Sequence, residues 1–241
     1  MNQQVNQQVN QPRQLSLAVK LDDQATFDNF YAPRGTPQHL ATFVLQDEGQ
    51  KYAFLAGAEG SGLSHLLQAA CQQTALGRNA GALYLPLGEV QDHPPQQVLE
   101  GLSSASLLCL DDMQTVAHHS AWQVPLFNLF NQCRDTGTRL VIASHAMPDD
   151  LQVTLPDLLS RLKSGVSLQM QSYKDADRRR LLQHRANRRG LYLSDEAALF
   201  MLNRLPRDSR QLMAALEILD GASMQEQRRL TTPFVKAVLK L

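Results

Sequence analysis

The chain has 241 residues, of which 43% are hydrophobic and 19% are charged, with 23 basic and 23 acidic side chains. This length and composition indicate a globular protein of one or two domains, and the balanced charge argues against a protein that coats DNA. No apolar run approaches the roughly 18 residues of a membrane span, and the N-terminus lacks the pattern of a signal peptide. Three cysteines without C-x-x-C spacing, Cys71, Cys109 and Cys133, predict reduced thiols in a cytoplasmic protein.

The first twenty residues fall into two segments of different composition. Residues 1–13 are rich in Asn and Gln, which predicts a disordered tail. Residues 14–19 read "QLSLAV", a pattern suited to an extended peptide that docks on another protein. In that interpretation Gln14 supplies amide hydrogen bonds, while Leu15 and Leu17 fill apolar pockets. So short a pattern, taken alone, favours a linker without a partner.

From Lys51 the chain alternates between apolar strands and helices. The predicted strands are residues 51–57, 81–87, 104–112 and 138–144, and two predicted helices are residues 64–77 and 121–137. Strands separated by helices indicate parallel pairing, so we expect an α/β domain with a parallel sheet over residues 20–171.

Residues 172–241 show only helical periodicity, which predicts a separate all-helical domain of four helices. Six arginines lie between Arg178 and Arg189 in its first helix. The sequence leaves open whether this cluster contacts nucleic acid.

Residues 57–64 read "GAEGSGLS", which has the spacing of a phosphate-binding loop, G-x-x-x-x-G-K-[ST], with Leu63 in place of the lysine. Glycines in such a loop let backbone N–H groups converge on phosphate oxygens beside a helix N-terminus. The residues predicted to contact the nucleotide here are Gly57, Gly60, Ser61, Gly62, Leu63, Ser64 and His65. Without its lysine, the motif alone is equally compatible with an ordinary strand-to-helix turn.

The stretch "LLCLDD", residues 107–112, strengthens the nucleotide interpretation. An apolar strand that ends in an acid is typical of the element that holds Mg²⁺ in phosphate-binding folds. It predicts Asp111 and Ser64 as metal-binding residues and Asp112 as the residue that polarises the attacking water. The order of the two motifs, with one strand between them, favours nucleotide binding.

The same motifs carry a resemblance to the AAA+ ATPase domain of the bacterial replication initiator DnaA. The matching stretches are "TFDNF" (26–30), the loop (57–64), "LLCLDDMQ" (107–114), "LPDLLSRLKSG" (155–165) and "DSRQLMAALEILD" (208–220). The resemblance implies an AAA+ fold with a C-terminal helical lid over residues 172–241. It also implies that Phe30 and Tyr31 hold adenine.

Further roles follow from the position of residues within the resembling family. Ser144 and His145 fall at sensor 1, Arg161 at the arginine finger and Arg210 at sensor 2. Taken singly, each arginine is more often a solvated surface residue, and for Arg161 a pair with an acid such as Asp157 is the alternative.

The chain also departs from the initiator. It ends where the family's DNA-binding helix-turn-helix would follow, and "QLSLAV" is similar to the peptide that docks on the DNA sliding clamp. These features resemble the regulatory homologues that inactivate DnaA after initiation. That resemblance implies DnaA and the DNA polymerase III sliding clamp (beta) as partners, a nucleoid or replisome location, and no sequence-specific DNA binding.

Leu63 and His145 both depart from the family's active ATPases, so we expect the chain to bind an adenine nucleotide, ADP more than ATP, with Mg²⁺. We do not expect it to be an independent ATPase. Two alternatives stay open, namely an initiator-like ATPase acting on DNA and a helicase-loader-like AAA+ protein. Self-assembly is also left open by the sequence.

Overall fold

The computed structural model describes residues 21–77, 81–206, 209–226 and 229–241, and in the helix that begins at residue 209 it describes the side chains of residues 211–223. The peptide at residues 14–19 therefore lies outside the described residues, as does the side chain of Arg210.

Helices and strands alternate up to residue 169, and helices follow. Their order is α1 (Pro37–Gln46), β1 (Tyr52–Ala56), α2 (Leu63–Ala75), β2 (Ala82–Pro86), α3 (Leu87–Val90), α4 (Pro95–Leu99), β3 (Leu107–Asp111), α5 (Ser120–Thr136), β4 (Arg139–Ser144), α6 (Pro156–Leu162), β5 (Val166–Gln169), α7 (Asp175–Arg188), α8 (Asp195–Arg204), α9 (Ser209–Glu226) and α10 (Thr232–Leu239).

The five strands form one parallel sheet in the order β2-β3-β4-β1-β5. After β1 the chain crosses to β2 at the far edge of the sheet and then returns through β3 and β4. Because all the strands are parallel, the carboxyl ends of β1, β3 and β4 lie at the same edge. Ligands of open parallel sheets bind at this kind of edge. The predicted α/β fold with a C-terminal helical domain is confirmed.

Alternating side chains of the central strands enter two apolar cores. In β1, Phe54 packs with α5 and α6 on one face, whereas Leu55 packs with α1 and α2 on the other. Strands buried on both faces read as continuous apolar runs, which explains why β1, β3 and β4 were recognisable in the sequence. A third core is formed by helices α7, α8, α9 and α10.

The sequence analysis missed strand β5 at the edge of the sheet and helix α1, as well as the short helices α3 and α4. Strand β5 is short, its residues are only partly buried, and its sequence "VSLQ" lacks an apolar run. Helix α1 has an apolar outer face as well as a buried one, with Leu40 and Phe43 exposed.

Gly165 makes β5 possible. Its φ is +86°, and a Cβ there would lie 2.9 Å from the backbone oxygen of Tyr52 in the neighbouring strand. Both the left-handed conformation and the close approach require glycine. A turn at Gly165 therefore brings β5 alongside β1.

Candidate nucleotide-binding site

A cavity of about 640 Å³ lies between the carboxyl edge of the sheet and the C-terminal helices. Its wall includes predicted site residues from four separate stretches of sequence. They are Phe30, Tyr31, Gly60, Ser61, Gly62, Leu63, Ser64, His65, Asp112 and His145. Gly57, Asp111 and Ser144 lie at the adjoining strand ends, and Arg161 is not part of the wall.

The glycine-rich loop connects β1 to α2 as predicted. Gly62 precedes the first residue of α2 with φ +93°, and α2 has no capping side chain. A Cβ on Gly62 would lie 2.6 Å from Cε2 of Phe30, so the aromatic ring packs directly on the loop. First-turn N–H groups of a helix lack intrahelical partners and attract anions, which makes this helix end suited to phosphate.

Ser61 gives independent evidence that the loop is built for a polar ligand. Its side chain is buried, and its hydroxyl has no hydrogen-bond partner among the residues that the structure describes. A buried polar atom without a partner costs free energy unless a ligand or water satisfies it.

Leu63 occupies the lysine position with an apolar side chain that is only 6% exposed. It belongs to the core that α1 and α2 form on the sheet, and it also contributes to the cavity wall. Arg185 is the one Lys or Arg side chain in the part of the wall that the structure describes, and it donates to the backbone oxygens of Gln24 and Asn29. Among the described residues, the cavity wall is therefore poor in free positive charge.

Asp111 ends β3 with both carboxylate oxygens bonded within the chain. Its Oδ2 accepts from the hydroxyl of Tyr84 at 2.7 Å, and its Oδ1 accepts from the N–H of Asp112 at 2.9 Å. Burial raises the pKa of Asp111, whereas hydrogen bonds from Ser64 and Tyr84 lower it. Ser64 is exposed and lies beside a carboxylate that is fixed in position. This pair is suited to a hydrated divalent cation, because the carboxylate can accept a hydrogen bond from a water molecule on the ion.

Tyr84 was not found by sequence reasoning. It lies in β2, directly opposite Cys109 of β3. Only the strand order brings its hydroxyl to Asp111, so the sequence offered no spacing signal for it.

Ser144 and His145, the predicted sensor 1 residues, are joined to Asp112 by a residue that sequence reasoning gave no role. Gln114 accepts hydrogen bonds from Ser144 and from the N–H of His145, and it donates one to Asp112. His145 Nε2 also lies 3.9 Å from Asp112 Oδ1. The position of Gln114 two residues beyond Asp112 was the available signal.

Part of the cavity wall is aromatic. Phe30 packs against His65 with ring centroids 5.4 Å apart, and Tyr31 lies between the rings of Tyr173 and His184 at about 6 Å. Burial lowers the pKa of His65 to about 4, and its neutral ring donates from Nε2 to the backbone oxygen of Thr26 at 2.8 Å. Flat apolar surfaces of this kind suit a nucleobase.

Helix α7 ties the C-terminal helices to the segment that carries Phe30. Arg188 pairs with Asp28 at 3.0 Å, and His184 donates to the backbone oxygen of the same aspartate. Others of the six arginines pair with acids of their own helical domain, as Arg189 does with Glu217 at 3.4 Å. The cluster is thus largely neutralised within the chain, which disfavours it as a nucleic-acid surface.

Arg161 lies in the last turn of α6, half-buried and away from the cavity. Its guanidinium is 6.0 Å from the centre of the Phe127 ring. The alternative pair with Asp157 is not formed, and within the described ranges Arg161 pairs with no carboxylate. Lys163, two residues later, is instead held by Asp149 at 2.6 Å.

Comparison with known families explains this arrangement. Residues 21–169 match the model described as the bacterial DnaA ATPase domain, and residues 175–239 match the model of the Hda lid domain. In the described part of the chain no helix is long and apolar enough to cross a membrane.

Solved structures of replication and recombination proteins share the fold. Domain III of DnaA from Thermotoga maritima superposes with a TM-score of 0.72 at 22% identity, covering 92% of this chain and 98% of that one. DnaA from Aquifex aeolicus, solved with AMPPCP bound, gives 0.67 at 22% identity, covering 86% and 70%. The RuvB branch-migration motor of Thermotoga maritima gives 0.64 at 15% identity, covering 90% and 71%.

Proposed function

The chain belongs to the family of the bacterial DnaA ATPase domain, as an Hda-like AAA+ protein, and from this premise we propose that it inactivates DnaA. In this proposal the chain binds a nucleotide of its own, tethers itself to the DNA sliding clamp, and supplies Arg161 to ATP held by DnaA. Its action then takes place on clamp-bearing DNA at the nucleoid.

The nucleotide of its own is an adenine nucleotide, and ADP is favoured over ATP. Support comes from the uncapped start of α2, the unpartnered hydroxyl of Ser61 and the aromatic walls at Phe30 and Tyr31. Because Leu63 supplies no charge, the contact that lysine makes with a γ-phosphate is lost. Ser64 and Asp111 would hold Mg²⁺, which supplies positive charge against the phosphates when bound.

The observation that carries the proposal is the free guanidinium of Arg161 outside the chain's own cavity. An arginine finger must be charged, accessible and unpaired, since it binds two oxygens of a phosphoryl group. Arg161 is half-buried beside the Phe127 ring but pairs with none of the described carboxylates, whereas Asp149 already holds Lys163. Such fingers contribute roughly 10³–10⁵-fold to phosphoryl transfer.

The test is the rate at which DnaA hydrolyses its bound ATP in the presence of loaded clamp and this protein. Arg161→Ala should abolish stimulation while leaving clamp binding unchanged. Lys163→Ala removes a cation of the same helix end and should retain most of the stimulation. Full stimulation by Arg161→Ala, or equal losses in both variants, would refute the assignment.

The tether is residues 14–19, which lie outside the described residues. Burial of two leucines contributes roughly 3–6 kcal/mol before ordering costs, so the peptide alone should bind weakly and the two-fold clamp should add avidity. Replacing Gln14, Leu15 and Leu17 by Ala should remove clamp binding measured by surface plasmon resonance. Unchanged binding would show that another surface meets the clamp.

A further inference from the structure

Tyr84 donates a hydrogen bond to the carboxylate at the end of β3. Its hydroxyl lies 2.7 Å from Oδ2 of Asp111, and because a carboxylate accepts hydrogen bonds, the phenol is the donor. Tyr84 pairs with Cys109 across β2 and β3, and Asp111 lies two residues further along the same face of β3. The long side chain of Tyr84 therefore reaches a diagonal neighbour, on the face of the sheet that α2 covers.

Two donors from within the chain determine how the carboxylate of Asp111 is oriented. Tyr84 bonds to Oδ2, and the N–H of Asp112 bonds to Oδ1 at 2.9 Å. An ionised carboxylate has about four acceptor sites, so one on each oxygen remains for other donors. The hydroxyl of Ser64 also forms a hydrogen bond with Asp111. The bonds from Tyr84 and Asp112 thus hold the carboxylate in the orientation in which it meets Ser64.

The phenol of Tyr84 is itself held in place by α2. Gln68 and Ser64, both in α2, form hydrogen bonds with it. Through Oε1, Gln68 also accepts from the backbone N–H of Asp22 at 2.8 Å. Because the amide oxygen of Gln68 is directed at Asp22, its NH₂ group is the part that donates to Tyr84. The hydroxyl of Tyr84 therefore accepts from α2 and donates to β3.

Burial makes the bond from Tyr84 important for a cation beside Ser64. Asp111 is only 2% exposed, and a buried carboxylate oxygen that loses its donor costs free energy. Without the phenol, the carboxylate is free to rotate until Oδ2 meets another donor. Hydrogen-bond partners that orient metal-binding groups typically contribute roughly 10–100-fold to metal affinity.

We propose that Tyr84 is a positioning residue that holds Asp111 in the orientation needed to accept a hydrogen bond from water on a Mg²⁺ ion at Ser64. This inference rests on the proposed function, in which Ser64 and Asp111 hold the ion. The opposite role, in which the phenol occupies a site that the ion needs, predicts a stronger effect of Mg²⁺ once the hydroxyl is removed.

The test compares the affinity of the full chain for ADP in saturating Mg²⁺ and in EDTA, both measured by calorimetry. The ratio of the two dissociation constants is the Mg²⁺ enhancement. In Tyr84→Phe the Mg²⁺ enhancement should fall by about tenfold or disappear, at the lower end of the range for such partners, while the affinity in EDTA stays unchanged.

Tyr52→Phe is the matched control. It removes a hydroxyl that donates to the backbone oxygen of Leu162 at 2.8 Å, in the core on the other face of the sheet. This variant should keep the full Mg²⁺ enhancement, because its lost hydrogen bond does not involve Asp111.

A double-mutant cycle shows whether Tyr84 acts through Asp111. Asp111→Asn should itself reduce the Mg²⁺ enhancement, and adding Tyr84→Phe should reduce it no further. A further loss in the double variant, or a full enhancement in Asp111→Asn, would overturn the inference.

An unchanged or larger Mg²⁺ enhancement in Tyr84→Phe would also overturn it, as would equal losses of ADP affinity with and without the ion. Absence of any enhancement in the unmodified protein would have the same consequence. Binding of ADP in EDTA separates this failure from a failure of the proposed function. A protein that binds ADP with an unaltered enhancement in Tyr84→Phe refutes only the role of Tyr84, whereas a protein that binds no ADP refutes both.

Discussion

The nucleotide cavity and the end of α6 both contain groups suited to phosphate. They differ in whether those groups are already bonded to other residues of the chain. In the cavity, Arg185 is bonded to backbone oxygens and Asp111 to Tyr84. Leu63 supplies no charge at all. At the end of α6, Arg161 pairs with none of the described carboxylates while its neighbour Lys163 is paired.

In the proposed function, this difference corresponds to a division between nucleotide binding and chemistry. A helix N-terminus and aromatic walls are sufficient to hold a nucleotide, but phosphoryl transfer requires charge placed on the moving phosphate. The described part of the cavity wall contains the first set of groups, and Leu63 supplies none of the charge that a lysine would place there. In the proposed function, Arg161 supplies this charge to the nucleotide of a partner.

The largest expected effect comes from changing the geometry of the charge at residue 161. Arg161→Lys keeps the charge but loses the planar fork, so stimulation of ATP hydrolysis in DnaA should fall at least about 100-fold, nearly as far as with Ala. The measurement is the hydrolysis rate with loaded clamp at saturating protein. Stimulation near the unmodified level would mean that point charge is sufficient and that the contrast with Lys163 is unimportant.

The next effect concerns the loop itself. Gly62→Ala forces a Cβ into Phe30 and places Ala at φ +93°, which costs roughly 1–2 kcal/mol in backbone strain alone. Nucleotide affinity measured by calorimetry should fall about tenfold or more. Gly137→Ala is the matched control, because its φ is +79° but a Cβ there meets nothing within 4 Å. Equal losses of affinity in both variants would assign the effect to stability rather than to the loop.

The third effect comes from restoring the lysine at residue 63, which would return positive charge to the cavity and reduce its difference from the end of α6. Leu63→Lys should strengthen ATP binding relative to ADP by roughly tenfold, because a charge-assisted hydrogen bond contributes about 1.5–3 kcal/mol. Leu63→Met has a similar length without the charge and should leave the ratio unchanged. The ratio of the two dissociation constants is the measurement, and an unchanged ratio in Leu63→Lys would show that the position does not face the γ-phosphate.

The smallest effect is a pH dependence from the aromatic part of the cavity wall. The folded pKa of His65 is about 4, below its ordinary value of 6.5, so the unfolded state binds the proton more readily. Stability should therefore be complete above about pH 6.5 and decline as the pH falls toward 4.

Urea unfolding at pH 7.5 and 5 measures this dependence. His65→Asn removes the titrating ring and should flatten the decline. The same substitution at His118, which is exposed, should leave the decline in place. A decline of equal size in all three proteins would assign it to other groups.

Several features could be read from the sequence because they depend on local pattern. The loop and the strand that ends at Asp111 are recognisable because buried parallel strands are continuously apolar and the glycine spacing is fixed by phosphate geometry. The helical lid follows from helical periodicity. These local signals established the fold class and, together with the family resemblance, half of the described residues of the cavity wall.

Other features were decided only by tertiary structure. Tyr84 reaches Asp111 because β2 lies beside β3, and Gln114 joins Asp112 to Ser144 because β3 lies beside β4. Strand order is set by the packing of the whole domain, so no spacing along the chain could reveal the contact of Tyr84 with Asp111 or that of Gln114 with Ser144. Whether a charge is free is equally a property of its neighbours in space, which is why Arg161 and Lys163 look alike in the sequence and differ in the fold.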